Sequence, residues 1–333
     1  MCTRIGQPTP EAAWSPTHPV FLFVPGAWHQ AWPFDLVRRH LAARGHATAH
    51  VELATVGAAD PARTVLAEDV AAIRAGLEAR ILGDAGEEVV VVAHSYGGIP
   101  TAGAVRGLGV AERAREGKKG GVLMVLHLAA FAVPVGTSLR DNLPGKAYPP
   151  WWNVQGDIIT PIDPLRVFYA DLEPAFAAEV AARLQPHSLK AMEDKSAFAP
   201  WEHGLEMGYV FAEEDQAIPL AAQQVMQSQF PAGSFTASLR ASHSPFLSVA
   251  DELGAVLERA AAFAVERRDE ERGRHSDKLS TILRRLRWRA VNNTKQRTGF
   301  IVYVILGYVN FDQIACCKPT FLGGCTAHGQ QSL

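Results

Sequence analysis

Val89-Val90-Val91-Val92-Ala93-His94-Ser95-Tyr96-Gly97-Gly98 is the stretch on which the reading of this chain turns. Four consecutive valines make an unbroken apolar run, as expected of a strand buried on both faces. The serine that follows, with a glycine pair behind it, marks a sharp strand-to-helix turn. The pattern is G-x-S-x-G with Ala93 in place of the first glycine. Such a turn strains the backbone of the serine, so the residues two positions away must be small, as Ala93 and Gly97 are. The Ser95 hydroxyl then projects above the sheet. The Tyr96 N–H opens the next helix, where developing negative charge is stabilised. On these residues alone, an ordinary strand-to-helix turn with a small polar residue competes with the reactive reading.

Outward from this turn, strands and helices alternate. Val20 to Val24, Ala47 to Leu53, Val122 to Leu128, Met207 to Phe211 and Ser234 to Leu239 read as further strands. Between them lie helical patterns at Trp32 to Leu41, Asp60 to Leu82, Gly98 to about Leu108 and Pro219 to Phe230, and an amphipathic helix closes the series at Phe246 to Val265. This alternation predicts an α/β fold whose mostly parallel central sheet carries helices on both faces. Residues 134–200 break the rhythm: they are rich in proline and aromatic residues and show no strong strand. They read as an inserted helical cap over the carboxyl edge of the sheet. The organisation expected is a core of residues 18–133 and 201–266, a cap of 134–200 and an extra tail of 267–333.

The 333 residues are 48% hydrophobic and 20% charged, ordinary values for a globular chain. Charge is unevenly divided. Residues 267–333 hold 12 of the 32 Lys and Arg but only 5 of the 34 Asp and Glu, which leaves an acidic body. Such a body gives no reason to expect nucleic-acid binding. Of four cysteines, Cys2 stands alone and Cys316, Cys317 and Cys325 sit in the tail, without metal-ligand spacing to histidines. Met1 to Trp14 lacks an apolar signal region and contains Pro8 and Pro10, so a cytoplasmic protein is expected. The tail is expected to be disordered or loosely packed. Leu279, Ile282, Leu283 and Leu286 could form one apolar stripe on a basic helix, and membrane contact through the tail is the lesser reading. Phe300 to Phe311 is strongly apolar but too short for a comfortable span.

Serine becomes a nucleophile when a neighbouring base takes its proton, usually a histidine oriented by a carboxylate. Ser95, Asp215 and His243 each follow a strand, where such groups converge. Glu213 and Glu214 compete with Asp215 for the acid. His243, between the last strand and the last helix, is preferred over the other histidines. His94 reads as structural, packed inside the turn. An oxyanion needs two N–H donors, and Tyr96 and Ala27 can supply them, with Gly26 letting the loop approach closely. Trp28, His29, Trp151, Trp152, Phe168 and Tyr169 are candidates to line an apolar pocket, or else to pack among themselves.

Val24-Pro25-Gly26-Ala27-Trp28-His29-Gln30-Ala31-Trp32 resembles the HGAWHGAW-type segment of the esterase and hydroxynitrile lyase branch of the α/β-hydrolase superfamily. Ala93 to Gly98, Tyr209 to Pro219 with its D-x-x-I-P ending, and His243-Ser244-Pro245-Phe246-Leu247 fit the same branch. The resemblance covers roughly residues 18–265. It departs at Pro25, usually histidine, and at Ala93, usually glycine. It implies an α/β-hydrolase fold, the chain order serine, acid, histidine, no cofactor and no metal. The implied activity is that of a serine hydrolase acting on a small, hydrophobic carboxylic ester or lactone. Lyases of this branch carry threonine where this chain has Gly26 and lysine where it has Ser244, which favours the hydrolase over the lyase. A non-catalytic small-molecule binding protein on the same fold is the other alternative.

Overall fold

The computed structural model describes residues 18–81 and 86–292. The expectations placed on Met1 to Trp14, on Phe300 to Phe311 and on the four cysteines lie outside them, as do the side chains of Leu279, Leu283 and Leu286. Contacts divide the chain into two units, Met1–Arg272 and Gly273–Leu333.

The first unit is built on a sheet that starts with β1 (Val20–Val24), β2 (Thr48–His50), β3 (Glu88–His94) and β4 (Gly121–Leu128). The insertion then contributes β5 (Trp152–Gln155), β6 (Ile158–Pro161) and β7 (His187–Ser188), after which β8 (Met207–Ala212) and β9 (Phe235–Leu239) complete the main sheet. The order is β2-β1-β3-β4-β8-β9 and every neighbouring pair is parallel. Every residue of β1 and β4 is buried, and so are Val89 to His94 of β3. Strands covered on both faces need no polar alternation, which is why they read as continuous apolar runs.

The chain runs outward from β1 to β2, then crosses back to β3 on the other side of β1. This is the topological switch, where loops leaving the two central strands part and open a crevice at their carboxyl ends. Register places Val24 beside Ala93, so Pro25-Gly26-Ala27 and Ser95 emerge next to each other. Ser95 owes its position to the sheet.

The helices are α1 (Asp35–Ala43), α2 (Leu66–Ile81), α3 (Gly98–Ala104), α4 (Val110–Arg115), α5 (Pro164–Phe168), α6 (Pro174–Ala181), α7 (Leu189–Glu193), α8 (Leu220–Gln227), α9 (Pro245–Ser248) and α10 (Ala250–Asn292). Helix α2 begins six residues after Asp60. The Asp60 carbonyl accepts from Arg63 and Thr64 N–H in a separate turn, and the Glu68 carboxylate caps Val65 N–H at 2.8 Å. The expected terminal helix breaks after Ser248 and extends past Val265 to Asn292, so residues 267–292 are helical where a loose tail was expected. Ion pairs accompany its last turns in the first unit. Arg267 meets Glu206 at 3.3 Å, and Arg268 and Arg272 both reach Glu88. Among the described residues no helix is long and apolar enough to cross a membrane.

The insertion is not purely helical. Beside α5, α6 and α7 it contains the antiparallel sheet β5-β6-β7. Gln155 pairs with Ile158 across a two-residue turn in which Gly156 takes a φ of 57°. The strands are only two to four residues long, and β7 also bonds the core, with Ser188 N–H on the Thr55 carbonyl at 3.0 Å. Pairing of that kind leaves almost no periodicity to read.

Candidate active site

Ser95 has a φ of 54°, the left-handed backbone expected of the serine in this turn. Its neighbours leave no room for larger side chains. A Cβ on Gly97 would stand 2.4 Å from the Pro25 carbonyl oxygen, and one on Gly98 2.2 Å from that of Phe131. The turn is also clamped from outside, because Phe131 N–H donates to the Ser95 carbonyl at 2.9 Å.

Three side chains meet in one hydrogen-bonded line. His243 Nε2 is 3.0 Å from Ser95 Oγ, and His243 Nδ1 is 2.7 Å from Asp215 Oδ2. A carboxylate only accepts, so the proton sits on Nδ1 and leaves Nε2 free to accept from the serine hydroxyl. Asp215 is fixed independently, since its Oδ1 accepts from Ala217 N–H at 2.7 Å and Ile218 N–H at 2.9 Å. Glu213 and Glu214 are exposed, and Glu214 pairs with Arg240 at 2.8 Å. The acid of the line is Asp215.

Supporting residues come from farther away. Gln223 is fully buried on α8, where its amide bonds both backbone groups of Ala212 and the Ile218 carbonyl, locking the turn that carries Asp215. His94 Nε2–H donates to the His243 carbonyl at 2.9 Å, so the residue read as structural holds the backbone of the other histidine. Burial, and then the neighbouring His243 and His29, drive its pKa well below the ordinary 6.5, keeping it neutral. From the insertion, Asp171 accepts from Ser242 N–H at 2.8 Å and pairs with its hydroxyl. No spacing rule in the sequence points to Gln223 or Asp171.

Ala27 is buried in the loop after β1, and its N–H has no acceptor among the described residues. Tyr96 lies in the first turn after β3, where N–H groups lack helical partners. The expected pair of donors thus comes from the two loops at the switch.

A small cavity opens on Ser95, lined by Trp28, Trp151, Trp152 and Phe168 as expected, and also by Phe131, Leu139, Leu143, Met192 and Ile218. Trp28 stacks on Phe168 at 5.6 Å and meets Trp151 and Trp152 edge-on, while its indole N–H donates to the Ile159 carbonyl at 3.0 Å. These rings therefore both pack together and face the cavity. His29 and Tyr169 do not line it. His29 Nδ1–H donates to the Ala27 carbonyl and its Nε2 accepts from the Tyr169 hydroxyl, both at 2.7 Å. Burial lowers the His29 pKa to about 4, so it serves as a neutral strut between the loop after β1 and the insertion.

The model of the alpha/beta hydrolase family matches residues 21–256. The alpha/beta hydrolase nvfD of Aspergillus novofumigatus (strain IBT 16806) is 27% identical over 252 residues, covering 74% of this chain and 98% of that protein. A pyrethroid hydrolase from Sphingobium faniae JZ-2 superposes with a TM-score of 0.57 at 20% identity, over 74% of this chain and 99% of the other. The methylesterase MES16 from Arabidopsis gives 0.57 at 22% identity, over 74% and 99%. At these identities the two solved structures establish the shared fold.

Proposed function

The chain belongs to the α/β-hydrolase family, and we propose that it is a serine hydrolase that cleaves small, hydrophobic carboxylic esters or lactones through an acyl-enzyme. The observation that carries this reading is the Ser95–His243–Asp215 line, with its 3.0 and 2.7 Å contacts. Ser95 Oγ attacks the carbonyl carbon as His243 Nε2 takes its proton. Asp215 holds the ring and stabilises the imidazolium, while Ala27 and Tyr96 N–H groups receive the oxyanion. His243 returns the proton to the departing alkoxide, then activates a water that releases the acid and regenerates Ser95.

The cavity supports the choice of substrate. Its aromatic and aliphatic walls suit an apolar acyl or alcohol group and offer no cation to a phosphate. The hydrolase and methylesterase activities named for the relatives point the same way. The lyase alternative lacks its partner for cyanide: Ser244 is fully buried in the place of the lysine.

Hydrolysis of p-nitrophenyl acetate by the full chain and by Ser95→Ala, with mass spectrometry after a fluorophosphonate probe, tests the reading. The parent hydrolyses the ester and gains one adduct on Ser95, and the variant loses several orders of magnitude in kcat while staying folded. A parent that neither turns over esters nor takes the label is a binding protein, not an enzyme of this kind.

A further inference from the structure

Asp69, on α2, is a fully buried carboxylate with no cationic partner among the described residues. Burial raises its pKa, and three donors converge on it instead. Thr55 N–H reaches Oδ1 at 3.0 Å, while the Thr55 hydroxyl at 2.6 Å and the Tyr96 phenol at 2.8 Å both reach Oδ2. A buried carboxylate is costly unless every lone pair direction is used, so this cluster marks a place where position is held at the expense of an apolar core.

Its geometry singles out one peptide. The Ser95–Tyr96 peptide carries the Ser95 carbonyl at one end and the Tyr96 N–H at the other, pointing in opposite directions because the bond is trans. Phe131 N–H fixes the carbonyl at 2.9 Å. The phenol on Asp69 fixes the side chain that leaves the same peptide on its other side. The peptide is thus tethered on both sides. The turn Ser95–Gly97 adds a helical bond at the carbonyl end only, from Gly98 N–H to the Ser95 carbonyl, and leaves the Tyr96 N–H without a helical partner.

We propose that Asp69 is a positioning residue that acts through the Tyr96 phenol to aim the Tyr96 N–H at the oxyanion, and that strand β7 of the insertion joins the same buried cluster. The link to β7 runs through Thr55, whose oxygen, with its proton committed to Asp69, accepts from His187 Nε2–H at 3.2 Å. The His187 ring also meets the Tyr96 ring edge-on at 4.8 Å. This inference rests on the serine-hydrolase reading of the site.

The test compares the full-length parent with Tyr96→Phe, Asp69→Asn and the double variant, by steady-state hydrolysis of p-nitrophenyl acetate, by the rate of fluorophosphonate labelling of Ser95, and by thermal unfolding. Tyr96→Phe removes one oxygen and keeps the ring. It lowers kcat and the labelling rate about tenfold, with KM within about twofold, because a donor is mis-aimed rather than removed. The double variant is no slower than the slower single one, since both cut the same link. Folded variants that keep the parent kcat and labelling rate, with only a lower Tm, show that the cluster is merely structural and overturn the proposal. Asp69→Asn decides the matter if Tyr96→Phe does not fold. A parent that is itself unreactive instead refutes the hydrolase reading, and the inference falls with it.

Discussion

Gly26 lies so close to Ser95 that an added Cβ would stand 2.7 Å from the Ser95 Cβ and 3.2 Å from its Oγ. The loop after β1 and the turn after β3 therefore touch through a missing side chain. Any residue larger than glycine must push one of the two backbones away, and with it either Ala27 or Ser95. Gly26→Ala should lower kcat by about a hundredfold, the effect of misplacing a reacting group by roughly an ångström. The φ of Gly26 adds no backbone strain, so circular dichroism should stay near the parent spectrum while the clash lowers Tm by several degrees. A Gly26→Ala variant with parental kcat would show that the loop yields freely and does not hold an oxyanion donor.

Trp151 stands at the cavity, half-buried, edge-on to Trp28 at 5.6 Å and to Phe168 at 5.5 Å. Trp151→Ala removes one wall while leaving the Ser95–His243–Asp215 line untouched. Longer acyl chains should gain on short ones, by about tenfold in the ratio of kcat/KM for p-nitrophenyl hexanoate over acetate. A few methylenes entering an apolar pocket account for that much. An unchanged ratio would move the acyl group to another part of the site.

Much of this arrangement was legible from local sequence. Val89 to Val92, the small residues around Ser95, and the positions of Asp215 and His243 just after strands are features a single segment carries. What the segments could not carry is who supports whom. Asp69 meets Tyr96, 27 residues away, and His94 meets the His243 carbonyl, 149 residues away. Such bonds have no period or spacing. Trp28 and His29, adjacent in sequence, part company for a similar reason. Trp28 has a φ of 65°, and its ring faces the cavity, whereas His29 turns to Tyr169. The insertion's sheet has no sequence signature because its strands are short and partly paired to one another rather than to a periodic core.

Four of the buried histidines dominate the acid limit of the fold. Burial holds His29 down to about 4 and His127 and His187 to about 3, and it pushes His94 well below the ordinary 6.5. Above pH 6.5 these rings are neutral in both folded and unfolded chains. As pH falls below 6.5 the unfolded chain binds protons that the folded chain refuses, so stability drops until the native rings protonate as well, near pH 4 to 3. Each fully titrating ring contributes a slope of about 1.4 kcal/mol per pH unit. Urea midpoints should therefore decline steeply from pH 6.5 to 4. His127→Leu, which keeps an apolar side chain against Phe230, should flatten that decline. A parent whose midpoint is level across this range would contradict the assignment.

The end of the first unit predicts where the chain can be cut. Helix α10 buries Leu253, Val256, Leu257, Ala260, Ala261 and Ala264 in the core, so it is needed at least that far. Beyond them the described contacts of this unit include Arg267 with Glu206 and the approach of Arg268 and Arg272 to Glu88. Partly exposed pairs of this kind contribute about 0–1 kcal/mol each. A chain ending at Arg272 should fold, keep its Tm within a few degrees and hydrolyse esters as fast as the full chain. A chain ending at Arg268 gives up the pairs of Arg272 with Glu88, Arg268 with Asp269 and Arg267 with Glu270, all partly exposed, and should do nearly as well. Removing Phe300 to Phe311 should leave solubility equal or better. Ending the chain before Leu253 exposes the core and should yield insoluble protein. Loss of soluble protein on cutting at Arg272 would instead show that residues 273–333 pack against the body. Co-sedimentation of the full chain with liposomes, absent from the shortened one, would assign the tail to a membrane surface.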